Sequence, residues 1–391
     1  MAYNSKDRVI RDSIHGDITL SDLEVELVDT PAMQRLRNIR QNGLCSYVYP
    51  SMTSTRFEHS LGVMHLAGKV GRHLNLKSKN SKALRAAGLL HDVGHAPFSH
   101  TSDELLSKRN IFHEEQSARI IQQTEVAKIL RRHGLNPNLI ADLVVGGGRM
   151  GKILSSEIDV DKMDYLLRDA HYAGVAYGLA DLERIIESIK LTHSDVVLDA
   201  GSLEAVESLL ISRGLMYQTV YWHKTKRIAE SMLVEAIKHL FSKRKLSLKN
   251  YLSMDDIDLV SKLRASGGYP KEMMRRLDER RLFKTAYRVK LNSFSIDEQR
   301  NLAEKKDKIQ NQIASETKNK KGFVLLDIPE AKLQEYKTKI EYEGELRRID
   351  EVSTLARSLE QAEEERLTIS VYALPEELNK FKKFNLSEYI Q

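Results

Sequence analysis

Ala87-Gly-Leu-Leu-His-Asp-Val-Gly-His-Ala-Pro-Phe-Ser-His100 is the stretch on which the reading of the chain turns. An apolar run ends in His91 and Asp92, and His95 and His100 follow within nine residues. On a continuing helix His91 and His95 share a face, with Asp92 turned about 100° from His91. Imidazole beside carboxylate suits a borderline or hard divalent cation, whereas a soft metal would call for thiolates. Gly94 allows close backbone approach, and Pro97 is expected to end the helix just before it.

The rest of the chain fits a globular protein in a reducing compartment. At 391 residues there is room for two or three domains, and 41% hydrophobic with 30% charged residues is ordinary for such a protein. No apolar run reaches the length of a membrane span, and the first residues lack the apolar core of a secretory signal. Cys45 is the single cysteine, which excludes an intrachain disulfide and a thiolate zinc site. A cytoplasmic location is expected. The net charge of +6 is compatible with a polyanionic partner, but it is small against 61 basic residues and does not by itself argue for nucleic acid.

Outward from the central stretch, residues 8–20 alternate around a His-Gly-Asp turn and predict a hairpin. Ser21 with Glu24 has the spacing of a capping box, and Thr30-Pro31 starts a short helix carrying Met33, Leu36 and Ile39. Arg56-Phe-Glu-His-Ser-Leu-Gly-Val63 opens a long helix whose small residues, Gly62, Ala67 and Gly68, would let the helix from Ser81 lie close. Further helices are expected near Ser102 and Phe112, and over Glu157–Asp169. Residues 196–199 predict a short strand pair, and 202–242 one or two long helices. After about 250 the pattern is mixed, with strands expected at 323–328 and 367–372 and a polar helix or linker at 296–316. Lys318, Lys320 and Lys321 read as a solvated charge run. The expectation is a mostly α catalytic core over 1–250 and a smaller α+β part over 251–391 that completes subunit contacts.

His59, His91-Asp92 and an aspartate in the 157–161 cluster resemble the H…HD…D signature of the HD hydrolase superfamily. Asp161 is taken as the fourth ligand because it precedes Lys162-Met-Asp-Tyr as in that family; Asp159 is the rival, and its other role is to cap the helix. Four such ligands can hold one divalent ion (Mg, Mn, Fe or Zn) and leave positions open for water and a substrate oxygen.

The resemblance narrows to the deoxynucleoside triphosphate triphosphohydrolases, in the branch whose vertebrate member carries a sterile alpha motif. It rests on Asp29-Thr-Pro31, Gln34-Arg-Leu-Arg37, Arg56–Val63, Gly94–His100, Ile158-Asp-Val-Asp-Lys162 and Arg168-Asp169. A looser match continues through Arg280–Lys284 and Val324–Asp327. This chain is expected to lack the sterile alpha motif. The implied reaction splits a dNTP at the α-phosphate into deoxynucleoside and triphosphate. That chemistry needs charge neutralisation, an activated water and an acid for the leaving 5′-oxygen.

Arg56, three residues before His59, shares its helical face and is expected to reach a phosphate. His100 with Asp103, and His113 with Glu114, are spaced as imidazole–carboxylate proton-transfer pairs. The resemblance makes His113 the acid and sets His95 beside the α-phosphate. It also assigns Gln41 and Asp169 to the 3′-hydroxyl and Tyr165 to the sugar. Tyr221 would exclude a 2′-hydroxyl, and Lys162, Arg213 and Tyr217 would line the phosphates and base. Asn42 and Tyr217 depart from that branch, so base preference is left open. His65, His73, His133 and His239 read as structural.

The same branch implies a tetramer, or dimer of dimers, activated by GTP or dGTP between subunits. The matching positions are Arg8, Val9, Asp29, Gln34 and Arg37, with His223, Lys224, Arg280 and Lys284 at an adjoining nucleotide site, where Arg11 departs from the pattern. A carboxylate at Asp29 can accept from guanine N1–H and N2–H₂, which adenine cannot offer; its other role would be to end a turn before Thr30-Pro31. Two rivals stay open: another HD phosphohydrolase, such as a nucleotidase or phosphodiesterase, and a non-catalytic nucleotide sensor or single-stranded nucleic-acid binder.

Overall fold

A computed structural model of the chain describes residues 8–193, 195–329 and 334–390, and leaves the side chains of His100, Gln334 and Glu335 undescribed. It is mostly α-helical, with two small sheets and a hairpin. The chain opens with β1 (Arg8–Asp12) and β2 (Gly16–Leu20), then α1 (Asp22–Val28) and α2 (Pro31–Arg35). The helical body follows: α3 (Arg56–His73), α4 (Ser78–Leu90), α5 (His100–Ser107), α6 (His113–Gln123), α7 (Glu125–Arg132), α8 (Pro137–Val144), α9 (Gly148–Gly151) and α10 (Val160–Ala173). Next come α11 (Leu182–Ser188), β3 (Ile189–Leu191), β4 (Val196–Asp199) and α12 (Leu203–Met216), which runs into a π-turn at Tyr217–Tyr221. The remainder is α13 (Lys224–Ser242), α14 (Leu248–Ser253), α15 (Asp256–Ala265), α16 (Tyr269–Asp278), β5 (Lys284–Lys290), α17 (Ile296–Glu316), β6 (Val324–Asp327), β7 (Lys339–Tyr342), β8 (Glu345–Arg348), α18 (Ile349–Val352), α19 (Thr354–Arg366) and β9 (Thr368–Ala373).

These elements form two compact units. The first takes the chain to Tyr221, then Leu248–Leu259 and Gln334–Arg357; the second takes Trp222–Ser247, Val260–Leu333 and the chain from Ser358. In the first unit α3 starts where Thr55 and Glu58 form a capping box, with Thr55 N donating to Glu58 Oε2 at 2.6 Å. The helix packs along α4 and against α10, and its Leu61, Val63, Met64, Leu66 and Val70 are buried. Each such side chain contributes about 1.5–3 kcal/mol by leaving water. The small α4 residues Ala83, Ala86 and Ala87 are buried along the same seam. Strands β3 and β4 pair antiparallel, and β4 takes β7 as a parallel neighbour with β8 at the edge. The β7–β8 hairpin was not legible: Lys339-Ile-Glu-Tyr342 and Glu345-Leu-Arg-Arg348 are highly charged, and β8 is exposed throughout.

The second unit is built on a three-stranded antiparallel sheet, β5-β9-β6, with α17 packed on it, and also holds α13 and α16, which pack on each other. Leu302, Ile309 and Ile313 of α17 meet Val324, Leu326, Ile369 and Val371 in its core. The segment expected to be a polar helix or linker is thus a helix with a buried stripe. Lys318, Lys320 and Lys321 are exposed beyond its end. Among the described residues no helix is long and apolar enough to cross a membrane.

Candidate active site

The central stretch departs from a continuing helix. Helix α4 stops at Leu90, and residues 91–99 run as successive tight turns, with His95 N donating to Asp92 O and Ser99 N to Ala96 O. Tertiary bonds replace the helical ones. Ser117 Oγ donates to His91 O at 2.6 Å and accepts from Gly94 N at 2.9 Å. A Cβ at Gly94 would fall 2.2 Å from Ser117 N, so only glycine lets the turn lie on α6. Phe98 and Ser99 follow with φ of 57° and 41°, in the left-handed region that side chains disfavour. Two struts hold this backbone: Phe98 N donates to Asp256 Oδ1 at 2.6 Å, and the half-buried Arg35 guanidinium donates to Val93 O and His95 O.

On that frame the ligating atoms of His59, His91 and Asp161 lie within 4.8 Å of one another. His59 Nε2 is 2.8 Å from Asp161 Oδ1, His91 Nε2 is 3.7 Å from the same oxygen, and Asp92 Oδ1 is 3.3 Å from His91 Nε2. The opposite ring nitrogens are engaged: His91 Nδ1 donates to Gly88 O at 2.8 Å and His59 Nδ1 to Asp164 Oδ2 at 2.7 Å. That leaves two buried Nε2 atoms, without a hydrogen bond of good geometry, turned toward carboxylate oxygens. This donor set fits a divalent cation. Asp159, the other aspartate, caps α10 by accepting from Lys162 N at 2.7 Å. Burial works to raise Asp92, but the Arg56 guanidinium, with His91 and His95, holds it well below the usual carboxylate range.

A second group adjoins the first. Asp92, His95 and His113 bring one ligating atom each within 4.8 Å, and the His95 and His113 rings stack at 3.8 Å and 19°. Burial, with Arg56 and His113 nearby, pushes His95 well below the usual histidine range. His113 starts α6, partly exposed, with Nδ1 3.4 Å from Glu114 Oε2. Asp103 is half-buried on α5; the side chain of His100, its expected partner, lies outside the described residues.

Arg56 is buried, with Nη1 2.5 Å from Asp92 Oδ2 and Nε 2.5 Å from Ser99 Oγ. Lys162 Nζ reaches Ser156 O at 2.7 Å and Asp159 Oδ2 at 2.9 Å. Buried Gln41 Oε1 and Asp169 Oδ1 make no hydrogen bond, while Tyr221 donates to Asp169 Oδ2 at 2.7 Å. Burial pushes Asp169 up to about 6. Tyr217 packs edge-on against Tyr221 at 5.0 Å and takes the Arg213 guanidinium over its face at 4.3 Å; Tyr165 meets Tyr221 at 6.4 Å.

The remaining positions lie on surfaces. Arg8 and Val9 are exposed on β1, and Asp29 is exposed at the end of α1. Gln34 accepts from Arg37 Nε at 2.9 Å, and Arg37 stacks over Phe57. His223 caps α13 just before the exposed Lys224. Arg280 and Lys284 line a cavity of about 210 Å³ with Arg276, Arg281, Leu282, Pro375 and Glu376.

Sequence reasoning missed a buried layer behind His59. Asp164 accepts from His59, from His15 Nε2 at 2.6 Å and from Arg168 Nε and Nη2 at 2.8 and 3.0 Å. Arg168 also donates to Asp12 at 2.9 and 3.3 Å. The i,i+4 spacing of Asp164 and Arg168 was a readable ion-pair signal; the hairpin residues gave none.

A family model described as the HD domain matches residues 56–169, and one described as the HD associated region matches 180–391. An uncharacterized protein of Methanocaldococcus jannaschii is 38% identical over 98% of this chain and 83% of its own length. A deoxynucleoside triphosphate triphosphohydrolase SAMHD1 homolog of Dictyostelium discoideum is 32% identical over 60% of this chain, which spans 50% of that relative. A hypothetical protein from Aquifex aeolicus has a crystal structure that superposes with a TM-score of 0.80 at 30% identity, covering 96% of this chain and 99% of its own.

Proposed function

The chain belongs to the HD-domain family, and from that premise we propose that it is a phosphohydrolase that splits deoxynucleoside triphosphates into deoxynucleoside and inorganic triphosphate. The observation that carries the reading is the convergence of His59, His91, Asp92 and Asp161 beside the stacked His95–His113 pair. A divalent cation held by those four residues would polarise the α-phosphoryl group and lower the pKa of its water. Water attacks the α-phosphorus, the bond to the 5′-oxygen breaks, and His113 gives that oxygen its proton. The neutral His95 ring supports His113 by stacking and faces the α-phosphate. Gln41 Oε1 and Asp169 Oδ1, both buried and without a hydrogen bond, accept from the 3′-hydroxyl. Tyr221, tied to Asp169, closes the space a 2′-hydroxyl would need.

The test separates products after incubation with each dNTP and Mn²⁺ or Mg²⁺. Triphosphate released in one step supports the proposal; stepwise phosphate release refutes it. One observation favours a second reading, a nucleotidase or phosphodiesterase: Arg56 and Lys162, expected on the phosphates, are engaged with Asp92, Ser99 and Asp159. Monophosphates and cyclic dinucleotides therefore belong in the same assay.

Regulation is part of the proposal. The exposed Asp29 offers a carboxylate to guanine, and the arginine-lined cavity of the second unit offers cations to a polyphosphate, in a homo-oligomer assembled by GTP or dGTP. Hydrolysis of dATP or dTTP with and without GTP, alongside sedimentation, tests it. Turnover and oligomeric state that both ignore guanine nucleotide would refute the regulation and leave the catalytic proposal standing.

A further inference from the structure

We propose that Asp164 is a positioning residue for the cation site, fixing the ring plane and tautomer of His59 so that Nε2 is presented to the ion. The inference rests on the reading of His59 as a ligand and deepens it. A carboxylate offers about four lone-pair directions, and Asp164 uses four: His59 Nδ1, His15 Nε2, Arg168 Nε and Arg168 Nη2. It has none left for a metal, and it stands on the far side of the His59 ring from Asp161. An imidazole that donates one N–H to a fixed carboxylate presents the other nitrogen as a lone pair, in a set orientation.

The carboxylate is itself immobilised from two directions. Arg168, fully buried, grips Asp164 with one edge and Asp12 with the other. Asp12 Oδ1 in turn accepts from Ile14 N and His15 N, so the turn between β1 and β2 carries His15 back onto Asp164. On α3, a Cβ at Gly62 would fall 1.8 Å from Asp164 Oδ1 and 2.6 Å from Arg168 Nη2. The helix turn after His59 is therefore shaped to the aspartate, and a larger residue there would push it off the ring. A purely structural ion pair would need Arg168 and Asp12 but no contact with His59.

The experiment measures Mn²⁺ alone by titration calorimetry on metal-stripped protein. Wild type binds, and Asp164→Asn, nearly isosteric and uncharged, weakens Mn²⁺ by roughly 10–100-fold with its helical circular dichroism intact. Equal affinity for both proteins overturns the inference while leaving the ligand set in place. A wild type that binds no Mn²⁺ overturns the ligand reading and this inference with it. Should Asp164→Asn not fold, His15→Ala removes one of the four bonds and leaves the proposed ligands in place; an unaltered affinity there counts equally against the proposal. A readout independent of variants is the ¹⁵N spectrum of His59 in Zn²⁺-loaded wild type. A proton on Nδ1 is expected, and a proton on Nε2 would sink the proposal.

Discussion

The histidine–aspartate centre of the first unit and the arginine-lined cavity of the second both gather charge, but by different means. Behind His59 the polar groups are buried and answer one another, from Asp164 through Arg168 out to Asp12 on the hairpin. Around Arg280 the charges sit at the surface and are balanced sideways: Arg276 by Glu272, and the exposed Arg281 by Glu279 at 3.4 Å. In low dielectric each partner matters greatly, because removing one strands the other. At the surface water and salt screen each charge, so no single one dominates. Substitutions should therefore be steep in the first region and graded in the second.

The largest effect expected is from His91→Ala or Asp92→Ala, each of which should abolish metal binding and turnover while keeping the helical fold. Metal content and product formation check it, and wild-type turnover in a verified metal-free variant would break the comparison at its root. Next, His113→Ala should lower kcat by roughly 10²–10⁴ and leave nucleotide binding nearly unchanged, since a general acid acts in the transition state. Normal kcat with weak binding would make His113 a phosphate contact instead.

Asp256 sharpens the comparison through pH. Burial pushes its carboxyl up to about 6 from 3.8, against the hydrogen bonds from Arg40 N and Phe98 N that favour ionisation. The folded state thus holds this proton more tightly than the unfolded one. Its contribution to stability is greatest below about pH 4 and falls as pH rises through 6, by up to about 3 kcal/mol. Urea unfolding between pH 4 and 7 should show that fall in wild type and not in Asp256→Asn; identical slopes would count against it. The smallest effect is expected for Arg281→Ala, which should weaken GTP binding by about 1 kcal/mol or less, and less still at high salt, with Mn²⁺ affinity unchanged. A complete loss of GTP binding would show that the cavity is as deeply organised as the metal centre.

The same contrast governs what could be read from the chain. That His59, His91, Asp92 and Asp161 come together was legible, because a cation site of the kind proposed draws on a few residue types in a recognisable order. The hairpin, the strands at 324–327 and 368–373, and the pairing of α3 with α4 were legible because they follow local alternation and small-residue spacing. The end of α4 was misplaced, because Ser117 and Gly94, not Pro97, decide it, and a hydrogen bond across 26 residues leaves no periodic trace. Asp12, His15, Arg35 and Asp256 were invisible for a stronger version of that reason. Their partners lie 149–219 residues away in the chain where they touch Asp164, Arg168, Phe98 and Met254.

The struts under the 91–99 turn have a practical meaning for anyone shortening or grafting the protein. A fragment cut to residues 56–169, the span matched as the HD domain, would keep all four proposed ligands. It would also leave behind Asp12 and His15, which brace Asp164, and Arg35 and Asp256, which hold the left-handed backbone at Phe98. Such a piece is chemically complete and mechanically unsupported. The smallest portable unit of this centre is discontinuous, drawing on the first forty residues and on the start of α15 as much as on the motif.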